Sequence, residues 1–356
     1  MLRSVLVLSA LVLGAAAPAA GQSSCFVGPL RIRDLSPLSL FRLDMPPAHA
    51  VNSVERGWGV EATYSRGNLF LVSDIVHAWL DERGTRRHIT QQEALALLEE
   101  PGDVFFFDAE VATMTLTGSW ALGPDWQVSL SVPYHWYGGG YLDQAIESFH
   151  ETIGVRDGGR VFAPRNDVQV VARLGDVEQI VLTDNGRSGL GDAIVTLRYD
   201  VQVRPSWHLI AEGAVRAPTG REHLYFSKDE PDLGVQLSAQ HVRGSTGYYG
   251  SLSWIEVSEN AFFPGVSDTP TLTLAVERTM FGDHTSGIAQ MTWSRSTVAG
   301  VEHSDLTEDR MQLSVGLRRR HGPFTTSLAI TENVVHFKNT PDIGVHFGIG
   351  YIAVGQ

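Results

Sequence analysis

The chain has 356 residues, 43% of them hydrophobic and 19% charged, with a formal net charge of −13. This acidity lacks the basic footprint that a nucleic-acid partner requires, and a single cysteine excludes an intrachain disulfide framework. Beyond the first residues no apolar run reaches the ~18 residues of a membrane-spanning helix, so helical spans are not expected.

The opening MLRSVLVLSALVLGAAAPAAGQ joins a basic Arg3 to an apolar stretch from Val5 to Ala17 and small residues before Gln22. It reads as a secretory signal peptide over residues 1–21, cut after Gly21 with Ala19 at the minus-three position. Cys25 lies past that site and reads as an ordinary exported residue rather than a lipid anchor. Residues 22–56, containing the Pro-rich PLRIRDLSPLSLFRLDMPPA, read as a periplasmic segment, and residues 57–356 as a β-barrel.

The barrel assignment rests on period-two alternation of apolar with small or polar residues, as in DLGVQLSAQHV (Asp232–Val242) and RMQLSVGL (Arg310–Leu317). Strands are expected from Trp58, then over Phe106–Ala121, Trp126–Tyr137, Leu190–Val203, Trp207–Ala217 and Asp232–Val242. They continue over Tyr248–Ser258, Thr269–Phe281, Thr285–Val298, Asp309–Arg319, Phe324–Val335 and Asp342–Ala353, making twelve. The connections alternate short, Gly-, Asp- or Pro-bearing links with long ones, notably loops 71–105 and 138–189. Short turns on one side and long loops on the other are the asymmetry of a closed antiparallel transmembrane β-barrel. A large secreted β-sandwich is the competing reading. In Phe106–Ala121 the alternation breaks around Thr113–Met114, which suggests a register change or bulge.

Two long links carry helical signals, so partly helical extracellular loops are expected. ITQQEALALLEE (Ile89–Glu100) has Thr90 and Glu93 in capping-box spacing before Leu95, Leu97 and Leu98. YLDQAIESFHETI (Tyr141–Ile153) places Leu142, Ala145, Ile146 and Phe149 on one stripe. Gly138-Gly139-Gly140 before it suits either a hinge or a turn.

The greasy face assigns the aromatics Trp58, Tyr64, Trp126, Trp136, Tyr199, Phe347 and Tyr351 to lipid. The opposite face brings Glu61, Asp108, Glu110, His135, Arg198, Asp200, Glu212, Arg216, Glu256, Glu277, Arg318 and His346 to or near the interior. Such a mixture can line a permeation path or lock a plugged barrel with ion pairs, and residue types do not choose between them. No G-x-S-x-G or H-E-x-x-H motif occurs, and His208 and Glu212 on one strand face stand about 13 Å apart, too far to form a metal pair. Neither catalytic nor metal-ligating residues are assigned, and no cofactor is expected. SGLGDAIVTLRYD (Ser188–Asp200) lacks the lysine and following helix of a phosphate loop; its Gly189, Gly191 and Asp192 are expected to shape a turn.

PLRIRDLSPLSLFRLDMPPAHA (Pro29–Ala50), EATYSRGNLFLVSD (Glu61–Asp74), VPYHWYGGGYLDQAIESFHETIGVRDGGR (Val132–Arg160) and SGLGDAIVTLRY (Ser188–Tyr199) together resemble the DUF3187 family of Gram-negative exported proteins. The resemblance extends over nearly all the chain after the leader and implies an outer-membrane β-barrel, without a substrate or catalytic residue. The terminal Tyr351-Ile352-Ala353-Val354-Gly355-Gln356 departs from the terminal aromatic usual in such barrels. The expected setting is the outer membrane of a Gram-negative bacterium, as a monomer among lipid and lipopolysaccharide, inserted by the barrel-assembly machinery. Passive passage of small solutes is the expected role; a structural or adhesion barrel without a pore is the alternative, and a membrane-embedded lipid hydrolase ranks below both.

Overall fold

The computed structural model describes residues 26–34, 36, 39–48, 57–154, 159–175, 180–182, 186–204, 206–220, 227–259, 265–282, 284–335 and 340–354. The signal peptide and Cys25 fall outside these. In chain order the elements are β1 (Gly57–Val72), α1 (Asp74–Arg83), α2 (Gln91–Glu99), β2 (Val104–Ala121), β3 (Trp126–Gly138), α3 (Asp143–Ile153), β4 (Gln169–Arg173), β5 (Ile180–Leu182), β6 (Arg187–Leu190) and β7 (Ala193–Arg204). There follow β8 (Trp207–Ala217), β9 (Asp232–Arg243), β10 (Thr246–Glu256), β11 (Gly265–Val266), β12 (Thr269–Met280), β13 (Thr285–Ser294), β14 (Val298–Ala299), α4 (Ser304–Thr307), β15 (Arg310–His321), β16 (Phe324–Val335) and β17 (Ile343–Val354).

Twelve long strands, β1, β2, β3, β7, β8, β9, β10, β12, β13, β15, β16 and β17, pair antiparallel in sequence order, and β1 closes the ring on β17. Closure leaves no unpaired edge, the condition for a sheet to sit in hydrocarbon. The pleat then sorts the residues. Leu233, Val235 and Leu237 of β9 point out and are 51–68% exposed, while Gln236, Ser238 and Gln240 point into the barrel and are buried. At the short-turn end, Trp58 packs on Tyr351 (5.5 Å between centroids), Phe324 on Tyr351 (5.0 Å) and Trp126 on Tyr199 (4.7 Å). Tyr134 and Trp136 form a second aromatic group at the other end, with centroids 4.6 Å apart. Trp126 and Trp136 are separated by ten residues of a tilted strand, about 25 Å in height, which matches an outer-membrane apolar band. All seven aromatics assigned to lipid lie on this outward face, although Tyr64 and Tyr351 are half-buried and Phe347 sits mid-strand, between Tyr64 and Leu328.

The expected register change in β2 is absent. Its pairing with β1 runs unbroken from Trp58↔Trp120 to Val72↔Phe106. What changes is the surroundings. Past the aromatic band, β1 and β2 rise beyond the rest of the wall, and their inner face becomes apolar (Leu69, Leu71, Phe105, Phe107, Ala109, Val111). Their outer face is covered by the long loops: Phe70, Val72, Val104 and Phe106 pack with Val76 and Leu80 of α1, and with Ala94, Leu97 and Leu98 of α2. One register therefore carries two opposite hydrophobic patterns.

The loops elaborate this tower. β4 pairs with the top of β2 and β5 with β4, while the two-residue β11 and β14 tie two other loops together. α2 begins with the expected capping box, Glu93 N–H donating to Thr90 Oγ1 (3.3 Å) and Thr90 N–H to Glu93 Oε2 (2.9 Å). Leu97 and Leu98 are buried, but Leu95 is 49% exposed. α1, with Val76 and Leu80 one turn apart on its buried side, was not foreseen, and in α3 Ile146 is buried whereas Ala145 faces out.

Leu80→Ala should lower unfolding free energy in detergent by about 2–5 kcal/mol, whereas Leu95→Ala should change it by no more than ~0.5 kcal/mol; equal losses in urea titrations would refute the loop core. The Arg87 side chain, bonding to Glu93, holds its carboxyl down to about 2. A depressed pKa stabilises above the ordinary carboxylate range and loses its effect on acidification. The stability gap between wild type and Glu93→Gln should accordingly be full at neutral pH and vanish by about pH 2; a gap independent of pH would contradict the cap.

Candidate functional site

The inward face of the wall is not open. Residues 26–34, 36 and 39–48, expected in the periplasm, lie inside the barrel. From the short-turn end, Val27 and Gly28 meet Glu277, and Leu30 N–H donates to Gln290 Oε1 (2.8 Å). Arg31 pairs with Glu61 (3.0 Å), and Asp34 meets Arg310 near the long-loop end. The segment turns there, with Leu40, Phe41 and Leu43 sunk in the apolar layer of β1, β2 and β4. It then descends: Pro46 accepts from Gln236 Nε2 (3.1 Å). Among its described residues, this hairpin-shaped plug forms no ladder with any barrel strand. Its backbone groups must therefore be satisfied by wall side chains, because buried amides without partners are costly.

Two carboxylates hold it. Glu277, fully buried, accepts from Val27 N–H (3.1 Å), Gly28 N–H (2.8 Å), Tyr249 Oη (3.0 Å), Ser286 Oγ (2.5 Å) and Arg318 Nη1 (3.2 Å). Arg318 in turn donates to the carbonyls of Gly28 and Pro29. At the other end Asp232 accepts from Leu43 N–H (2.7 Å), Arg216 Nε (2.8 Å), Lys228 Nζ (2.8 Å) and Ser258 N–H (2.9 Å). Lys228 also lies over the Phe41 ring, 5.3 Å from its centroid. Burial pushes the Lys228 ammonium down, opposed by the Asp232 charge.

Of the expected interior residues, Glu61, His135, Arg198, Asp200, Glu212, Arg216, Glu277, Arg318 and His346 do point inward. Arg198 pairs with Asp200 (3.1 Å), Glu212 accepts from Gln236 (2.8 Å), and His135 meets Thr113 Oγ1 (2.8 Å). His346 shares its two ring nitrogens with Ser65 (2.7 Å) and Thr331 (2.8 Å), hydroxyls on both sides. Glu110 does not line the lumen. It and Asp108 have the outward parity of Met114 and Leu116, and lie under the second long loop because the strand has left the apolar band. Glu110 bonds Arg66 and accepts from the N–H groups of Tyr141 (2.7 Å) and Leu142 (2.8 Å). Glu256 is exposed at the end of β10, on the outward parity of Trp254.

The glycine motifs serve close approach. A Cβ on Gly139 would collide with the Asn166 backbone and one on Gly140 with the Glu110 carboxylate, so the triplet seats the loop on the wall. Beside it Arg160 joins Asn68 (2.9 Å), Asp143 (3.0 Å) and Asp342, pinning α3 to the tower. Gly191-Asp192 interrupts the expected strand 190–203, splitting it into β6 and β7. The break turns Asp192 to Arg216 and to the N–H groups of Thr219 (2.9 Å) and Gly220 (2.7 Å). The plug's Arg31, Asp34 and Arg42 and the wall's Asp232 and Arg310 were not foreseen as site residues. Asp232 was within reach, since it continues the inward row of Gln236, Ser238 and Gln240.

Polar cavities remain beside the plug. The one between the plug and β1, β2, β3, β7 and β8 has a volume of about 60 Å³ and is lined by Arg31, Arg33, Asp44, Glu61, Glu212, Gln127 and a set of hydroxyls. Two others lie against β15–β17 with β1, and against β12, β13 and β15. Among the described residues no group of three His, Cys, Asp or Glu side chains could hold a metal ion.

Comparison with solved structures finds barrels. The COG4313 outer membrane channel from Pseudomonas putida F1 superposes with a TM-score of 0.51 at 11% identity, covering 85% of this chain and 97% of that one. The NanC porin (TM-score 0.41, 8% identity, 81% and 98% covered) and the Ralstonia pickettii toluene transporter TbuX (0.38, 8%, 83% and 90%) score lower. At these identities the likeness is one of fold. No curated protein matches significantly in sequence. A family model described as "Protein of unknown function (DUF3187)" matches residues 4–352, so the chain belongs to the DUF3187 family.

Proposed function

We propose that this protein is an outer-membrane channel for small polar solutes, closed by its own N-terminal plug. The short turns then face the periplasm and the long loops the exterior, with lipid and lipopolysaccharide around the apolar band and the barrel-assembly machinery as the partner of insertion. The observation that carries this reading is how the plug is held. It touches the wall at discrete side-chain bonds and leaves polar, unfilled space on several sides of itself. A barrel built only for rigidity would close-pack its interior. The largest of these spaces holds about four waters at the ~15 Å³ each requires, too few for a solute to pass. Conduction thus demands that the plug move, carrying Leu40, Phe41 and Leu43 out of the apolar layer that seals the outer mouth.

The Glu277–Arg318 pair is the attachment to loosen. Removing one partner of a buried pair costs about 3–5 kcal/mol of the interaction, enough to shift a closed plug toward release. In planar bilayers the wild-type protein should conduct rarely, and Glu277→Gln should raise its open probability many-fold. Deleting residues 26–48 should give a steady current in folded barrels, identified by heat-modifiable migration. If all three fold yet neither conduct nor admit solutes into liposomes, the barrel is a sealed structural element and the channel reading is wrong.

A further inference from the structure

The charges around the larger cavity do not balance without the plug. Arg31 on the ascending limb donates Nε to Glu61 Oε2 at 3.0 Å, and the two side chains are 26% and 29% exposed. Both line two of the polar cavities, so this pair stands between two compartments of the lumen. Glu212 faces the larger one from β8 and accepts a hydrogen bond from the neutral Gln236 amide (2.8 Å). Glu61 and Glu212 lie at similar depth, four and five residues from the short-turn ends of β1 and β8.

On this side of the wall, among the described side chains, β1, β7 and β8 present Glu61, Asp200 and Glu212 against one guanidinium, Arg198, which pairs with Asp200 (3.1 Å) and stands opposite Glu212, while the His208 ring lies 3.5 Å from Asp200. Across the lumen Glu277 and Arg318 cancel. The remaining positive charge at this depth comes from the plug, through Arg31 and Arg33, offset in part by Asp44. A plug that leaves takes these with it, and the wall is left with excess carboxylate. Arg310 simultaneously loses Asp34, but it stands at the long-loop mouth, the opposite end of the barrel.

We infer that Glu61 and Glu212 determine the charge selectivity of this channel and that its substrates are small cationic solutes. In the closed state Arg31 occupies the place that a solute's ammonium or guanidinium group takes in the open one. The inference rests on the channel reading above and adds its substrate class. Carboxylates facing a confined aqueous path with low-dielectric walls concentrate cations there and exclude anions, the arrangement by which acidic rings select in pores. Glutamine replacements keep the size and polarity of both side chains and remove only the charge, so they separate selectivity from packing.

The test is the reversal potential of the full-length protein in a KCl gradient, repeated with guanidinium chloride, in the Glu277→Gln background that favours the open state. Cations should be favoured several-fold over chloride. Adding Glu61→Gln and Glu212→Gln should bring the ratio close to unity, with Glu61→Gln alone giving an intermediate value should the triple variant fail to fold. Glu256→Gln, which removes an exposed carboxylate on the outward parity of β10, should leave the preference for cations in place. Anion preference in the Glu277→Gln protein, or cation preference unaltered by neutralising Glu61 and Glu212, would overturn the inference while leaving the channel intact. Silence of every folded variant would instead overturn the channel reading, and this inference with it.

Discussion

An irregular backbone inside a membrane barrel must find a partner for each of its amides, and Glu277 shows how that condition is met. One carboxylate takes two plug N–H groups, a tyrosine, a serine and an arginine, and the same arginine takes the next two plug carbonyls. Asp232 repeats the arrangement at the far end with Leu43, Arg216, Lys228 and Ser258. The polar inner face is thereby neither a bare pore lining nor a self-contained network. It is a surface whose charges are completed by another part of the same chain.

This completion also explains why the outer tower exists. The plug's turn carries apolar residues, and Leu40, Phe41 and Leu43 cannot rest against the hydroxyls that line the middle of the barrel. β1 and β2 supply the apolar surface by exchanging their inner and outer patterns once they pass the aromatic band. The exchange obliges something to cover Asn68, Asp108 and Glu110 outside, and α3, Arg160 and the glycine triplet do so. Plug, inverted hairpin and folded loops are three consequences of burying one apolar turn at the mouth.

The barrel was legible because its signal is repeated. Period-two alternation in strands such as Asp232–Arg243, and Trp or Tyr at strand ends, report a wall with lipid on one side regardless of detail. Nine of the twelve residues expected at the interior follow the inward parity; Asp108 and Glu110 do not, because the register of β2 runs unbroken where a change was expected, and Glu256 shares the outward parity of Trp254. The plug was illegible for a different reason. PLRIRDLSPLSLFRLDMPPA has no regular period, and partners such as Asp232 and Arg318 lie some 190 to 290 residues away, where no local pattern can register them. Its one trace was indirect: an interior that mixes acids such as Glu277 with bases such as Arg318 suits a plugged barrel as well as an open path.

The position of the plug ahead of β1 bears on how the molecule is assembled. Most of the wall is made of hairpins whose contacts are near in sequence, and these form without long searches. The remote contacts are the β1–β17 seam and the grip of the plug on the wall, as of residues 27–30 on β12, β13 and β15 and of Leu43 on Asp232. Remote contacts pay their loop-closure entropy before any reward and so arrive late. The plug precedes β1 by only a few residues of sequence, so the strand that zips the seam and the segment that fills the interior are brought home together. Sealing of the cylinder and filling of its lumen are in this sense a single final step of folding.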